Sequence, residues 1–170
     1  MSAIIARRPR STYTAAPEGL HAAVCVDVVD LGIVQGAYGA KHKVRVVWQL
    51  DLVDEDHGRR FDVARVYTLS LHERAALRKD LESWRGRKFT EVELDGFDLE
   101  KLLGVNAQVN VTQDLSDDGA VYANVSTVVP PVKGAPKLTP RDYVRAKDRQ
   151  QPSANGRPAA TEVDNDQVPF

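Results

Sequence analysis

The feature that most restricts how this chain can fold is the alternation in HKVRVVWQLDL, residues 42–52. Val44, Val46, Trp48 and Leu50 fall on one side of an extended backbone, and Lys43, Arg45, Val47 and Gln49 fall on the other. That period of two belongs to a β-strand with one buried face. A second strand signal precedes it in LHAAVCVDVVDLG, where Ala22, Val24, Val26 and Val28 share a face. Gly32, Gly36 and Gly39 punctuate the stretch between the two, which reads as a loop. It is not a phosphate cradle, because no Lys-Ser/Thr follows and no helix begins. DEDHGRR (54–60) lacks the calcium-loop pattern and reads as a solvated hairpin tip. A third strand then runs from about Phe61 to Leu69, with Arg65 and Tyr67 on one face.

The period changes after residue 69. Leu77, Leu81 and Trp84 recur at spacings of four and three, the stripe of an amphipathic helix. Ser70 and Glu73 have the capping-box spacing at its start, and Gly86 is a natural stop. DLEKLL forms a second short helical piece before Gly104. Two further strands, VNAQVNV and AVYANVSTVV, are joined by a turn at Asp118-Gly119 and ended by Pro130-Pro131. Three strands, a helical insert and two strands give a mainly β fold, a five-stranded OB-fold barrel with the insert between strands 3 and 4. An SH3-like barrel lacks that helix, and a split βαβ fold requires a second long one.

Five regions follow along 170 residues. Residues 1–19 are a flexible basic arm, and 20–131 hold the barrel. Residues 132–149 are a basic extension in which Thr139-Pro140 is a start signal for a short helix. Residues 150–161, QQPSANGRPAAT, contain no large apolar side chain and form a disordered linker. Residues 162–170 are acidic. The net charge of -1 excludes a uniformly basic coat. Residues 1–150 are nearly balanced, with 22 basic and 21 acidic side chains. The one cysteine, Cys25, excludes an intrachain disulfide and lies among valines as a buried thiol, which suits a reducing cytosol. No apolar run approaches the length of about 20 residues that a membrane span needs. The N-terminus lacks the apolar core of a signal peptide, so a cytoplasmic protein is expected.

The acidic segment EVDNDQVPF resembles the C-terminal tip of bacterial single-stranded DNA-binding proteins. Asp164, Asp166, Val168, Pro169 and Phe170 carry the resemblance, while Asn165 and Gln167 stand where acids are usual. Within the body, YTLSLHERAALRKDLESWRGRKFT and GFDLEKLLG resemble small phage-encoded proteins that bind single-stranded DNA. The second resemblance spans roughly residues 20–149. Together they imply a protein of a bacterial or phage-infected cell that coats single strands in replication, recombination or repair. The tip would recruit a helicase, nuclease, primase or polymerase. The Phe170 side chain would enter an apolar pocket on that partner, and its carboxylate would meet a basic group. Homo-oligomer formation is compatible with this picture.

Binding of this kind needs cations that follow the phosphates and aromatic rings that stack on bases. The outward faces of strands 2 and 3 offer Lys43, Arg45, Arg65 and Tyr67, with Tyr38 and Lys41 in the adjoining loop. Tyr122 faces outward on the last strand if Val121, Ala123 and Val125 face inward, and Arg85 with Arg87 and Lys88 extends the track. Trp48 shares its face with aliphatic residues and belongs to the core, and Trp84 plugs the barrel. Catalysis finds no support: the four histidines have no ligand spacing and no serine lies in a nucleophile elbow. Neither a cofactor nor a metal is implied. The competing reading is an adaptor or inhibitor that mimics the tip of a host single-strand-binding protein and binds proteins through its barrel.

Overall fold

The computed structural model describes Ala6 and residues 14–149. Most of the expected N-terminal arm, the linker at 150–161 and the tip at 162–170 lie outside the described residues. Three strands come first: β1 (Gly19–Gly36), β2 (Gly39–Asp54) and β3 (Arg59–Thr68). Helices α1 (Ala76–Arg85) and α2 (Glu91–Asp95) and a 3-10 turn (Leu99–Leu102) follow. Strands β4 (Asn106–Leu115) and β5 (Val121–Val129) complete one antiparallel sheet in the order β3-β2-β1-β4-β5. The sheet is open, since no ladder among the described residues joins β3 to β5. The two edges nevertheless approach each other, and Arg65 Nη1 on β3 donates to the Ser126 carbonyl on β5 at 3.1 Å. No helix among the described residues is long and apolar enough to cross a membrane.

The β2 alternation holds: Val44, Val46, Trp48 and Leu50 all enter the core. Strand β1 corrects the expected face. Ala23 and Cys25 point into the core, whereas Val24 and Val26 lie on the opposite side in a smaller cluster with Val47. The β1–β2 register slips between Cys25 and Asp27, so Val26 is an inserted residue. A bulge of this kind re-aims the side chains around it, and Val28 returns to the core side. The loop expected over Gly32–Gly39 is also absent. Strand β1 continues to Gly36, which pairs with Gly39 across a two-residue turn at Ala37-Tyr38. Gly39 takes φ 101°, a conformation disfavoured for other residues. Ladder hydrogen bonds are made by backbone, so glycines do not interrupt them.

Helix α1 buries Leu77, Leu81 and Trp84 as expected and ends at Gly86, whose φ of 72° forms a left-handed cap with its N–H on the Glu82 carbonyl. Its start differs. The N-cap is Ala75, and Ser70 Oγ instead accepts from the His72 N–H in a local turn. The capping box occurs at Thr90 and Glu93, opening α2. Asp80 on α1 accepts from Tyr67 and Arg65 of β3, and Trp84 Nε1 donates to the Asn106 carbonyl of β4 at 2.8 Å. The helix thus ties the two halves of the sheet together beneath the core.

The extension past β5 is a strap, not the helix expected after Thr139-Pro140; only Ala146–Asp148 makes a 3-10 turn. It crosses the outer side of β1 and β2, where Leu138 and Tyr143 cover Val24, Val26, Val47 and Ala64. The Asn106 side-chain amide pairs with both backbone groups of Leu138, at 2.8 and 2.7 Å. Arg60 Nη1 donates to the Thr139 carbonyl at 2.8 Å. Asp27 is 1% exposed and accepts from the Tyr143 hydroxyl, the Arg145 guanidinium and the Ala146 N–H. The polar contacts supply partners for buried groups that would otherwise be costly.

Candidate nucleic-acid interface

Because β3 and β5 approach without pairing, a groove of 1190 Å³ opens between them. Its β3 wall runs from Asp62 to Val66, with Arg45 and Val47 of β2 beside it. The opposite wall is the β4–β5 hairpin, from Asp114 to Ser116 and from Tyr122 to Ser126. The site therefore combines an apolar floor, two guanidinium groups and one aromatic ring.

Of the residues expected to contact DNA, the groove brings together Arg45, Arg65 and Tyr122. Tyr122 is 48% exposed, so its ring can present a face to a ligand. Arg65 has a second duty: it lies 2.8 Å from Asp80 and donates to Ser126, helping to hold the two edges together. Lys43 Nζ donates to Thr68 Oγ1 at 2.8 Å and is outside the groove lining. Tyr38 is 92% exposed at the tip of the long β1–β2 hairpin, with Lys41 exposed on the same projection.

Two placements differ from expectation. Tyr67 is 3% exposed and points into the core, with its hydroxyl 2.6 Å from Asp80. Burial, and then the Asp80 charge, push its pKa up, so it is held as a neutral donor. The expected outward face of β3 was displaced because Val63 and Tyr67 share the inward side. Arg85 lies on the far side of α1, bonded to Glu93 at 2.5 Å and stacked 4.6 Å from the Phe89 ring centre. Hydrogen bonding from Thr90 and then from Arg85 brings the Glu93 pKa down to about 2. Arg85 is thus part of a helix-capping cluster, and Arg87 joins it at 3.1 Å from Glu93.

Sequence reasoning missed the acidic members of the groove. Asp114 accepts from Asn124 across the β4–β5 pair at 2.5 Å. Asp62 has its pKa raised, chiefly by burial. The strap was missed as well, although apolar Val47 on the outward side of β2 is a sign that a second layer covers that face. Cys25 is buried and its thiol is pushed up to about 12 by that burial, which leaves it unreactive. Among the described residues no cluster of three or more His, Cys, Asp or Glu could hold a metal ion. Set against protein-family models and curated proteins, the chain matches none of them.

Proposed function

We propose that the protein binds single-stranded DNA along the β3–β5 groove of an OB-type barrel and recruits other DNA-processing proteins through residues 164–170. The observation that carries this reading is the meeting of Arg45, Arg65 and Tyr122 in one open groove. Guanidinium groups satisfy phosphates, and an exposed tyrosine offers a stacking surface that accepts any base. The β4–β5 hairpin forms one wall of the groove, while Tyr38 and Lys41 are exposed on the β1–β2 hairpin outside its lining. The strand order agrees with an OB barrel. In this reading the protein acts in the cytoplasm of a bacterial or phage-infected cell, during replication, recombination or repair.

The second reading, a barrel that binds proteins, draws on the two carboxylates in the groove, Asp62 and Asp114, and on the pairing of Arg65 with Asp80. Fluorescence anisotropy with labelled oligo-dT and with a blunt duplex over a salt series separates the two. The DNA reading expects preference for the single strand, and affinity that falls as salt rises through counterion competition. Loss of about 1–3 kcal/mol in Tyr122→Ala is the stacking signature. Equal affinity for duplex and single strand, or no binding at low salt, would leave the protein-binding reading in place.

A further inference from the structure

Charge is spread unevenly along the chain. Residues 20–131, which make the sheet and the helices, carry 13 Lys and Arg against 18 Asp and Glu, whereas the strap, residues 132–149, carries 6 against 2. A polyanion responds to local potential and not to net charge. The question is therefore where the strap's cations stand relative to the groove.

Asp62 connects the two. It lines the groove on β3 and pairs in register with Gln49 of β2, whose side chain holds the strap at Arg141. Of the strap's cations, Arg145 is spent on Asp27 and Glu100. Arg149 is placed differently. Its Nε donates to the Val144 carbonyl at 3.1 Å, its Nη2 donates to the Tyr143 hydroxyl at 3.2 Å, and its guanidinium lies 5.4 Å from the centre of the Tyr143 ring. These partners are neutral, so they fix the position of the group without cancelling its charge. Tyr143 is held in turn by its hydroxyl on Asp27 at 2.9 Å.

Arg59, Arg149 and Arg45 all act on the Asp62 carboxylate through space. Arg59 and Arg149 are exposed, and Arg45 lines the groove. Three guanidinium groups, from the start of β3, the end of the strap and β2, thus gather around one carboxylate at the side of the groove. One carboxylate cannot neutralise all three, and phosphodiester oxygens accept charge-assisted hydrogen bonds from such groups.

We propose that Arg59 and Arg149 form a second phosphate site, so that a single strand leaving the groove continues onto the strap, and that Asp62 weakens its hold. The inference rests on the strand-binding reading above and makes the strap part of the interface as well as a cover for β1 and β2.

The test is anisotropy with labelled oligo-dT on the full chain over a salt series. Arg59→Ala and Arg149→Ala should each lower the slope of log affinity against log salt by about 0.7, the effect of one lost phosphate contact on a single strand. Arg149→Lys keeps the charge and should restore the slope. Lys133→Ala removes an equal charge at the start of the strap and should leave the slope at its wild-type value. Asp62→Asn should tighten binding by about threefold at low salt, since a negative charge beside the strand is removed. A slope indifferent to Arg59→Ala and Arg149→Ala, one lowered equally by Lys133→Ala, one that Arg149→Lys does not restore, or an affinity that Asp62→Asn fails to raise would each overturn the inference. If it fails while Tyr122→Ala still weakens binding, the groove reading survives without the strap. Absence of oligo-dT binding at low salt removes both.

Discussion

Gln49 on β2 pairs with the backbone of Arg141 in both directions: its Nε2 donates to the Arg141 carbonyl at 2.7 Å, and its Oε1 accepts the Arg141 N–H at 2.8 Å. One side chain thus stands in for a neighbouring strand. Gln49 is 3% exposed, so it cannot exchange these bonds for water. Asn106 does the same for Leu138, and the two amides fix the strap's register along the outer side of β1 and β2.

Replacing Gln49 by Leu should cost about 1–3 kcal/mol, since two buried backbone groups lose their partners. Urea unfolding measures the loss. Hydrogen exchange should show faster exchange at strap amides 138–146 and unchanged protection in the β1–β4 ladder.

Acid should release the strap through Asp27. Burial disfavours its charge, but hydrogen bonds from Ala146, Arg145 and Tyr143 outweigh that and hold its pKa below the ordinary 3.8. A carboxylate with a depressed folded pKa stabilises fully above its unfolded value and stops doing so as pH falls through the folded one. The Glu100 pKa is lowered too, first by the Arg145 hydrogen bond, and adds in the same sense. Below about pH 4 the Ala146 N–H should lose exchange protection ahead of the sheet. Asp27→Asn should expose the strap already at pH 7 and flatten this acid response.

Trp48 is 1% exposed and packs 5.8 Å from Trp84, centre to centre. Trp48→Ala should destabilise the fold by about 3–5 kcal/mol as a large-to-small core change. If a thermal melt shows wild-type stability while oligo-dT binding is lost, Trp48 is a stacking residue and the core assignment fails.

The two tyrosines should separate cleanly. Tyr67→Phe removes a hydroxyl bonded to a carboxylate and should lower stability by about 1–2 kcal/mol, with strand affinity unchanged. Tyr122→Ala should leave the melting temperature within about 2 °C, as an exposed substitution, while weakening strand binding. Melts and anisotropy titrations on both variants check the assignment.

The sequence by itself determined the succession of strands and helix along the chain, the inward face of β2 and the apolar stripe of α1. Each of these is a local matter: period two and period 3.6 are written in consecutive residues, and Gly86 suits a left-handed helix cap because it has no Cβ to strain that conformation. The faces of β1 were not legible, because the Val26 bulge depends on how β1 meets β2, and valines on both faces hide the slip. The start of α1 was misassigned because Ser70 and Glu73 have capping-box spacing, yet Ser70 spends its hydroxyl on a local turn. Of the candidate site, exposed Tyr122 could be found from alternation, and exposed Tyr38 and Lys41 from their place between two strands. The meeting of Arg45, Arg65 and Tyr122 could not, since they lie on three strands that only the curl of the sheet brings to one groove. The strap was beyond local reading for the same reason. Its residues carry no helix or strand period of their own, and their conformation is set by Gln49, Asn106 and Asp27, side chains from distant parts of the chain that satisfy its backbone.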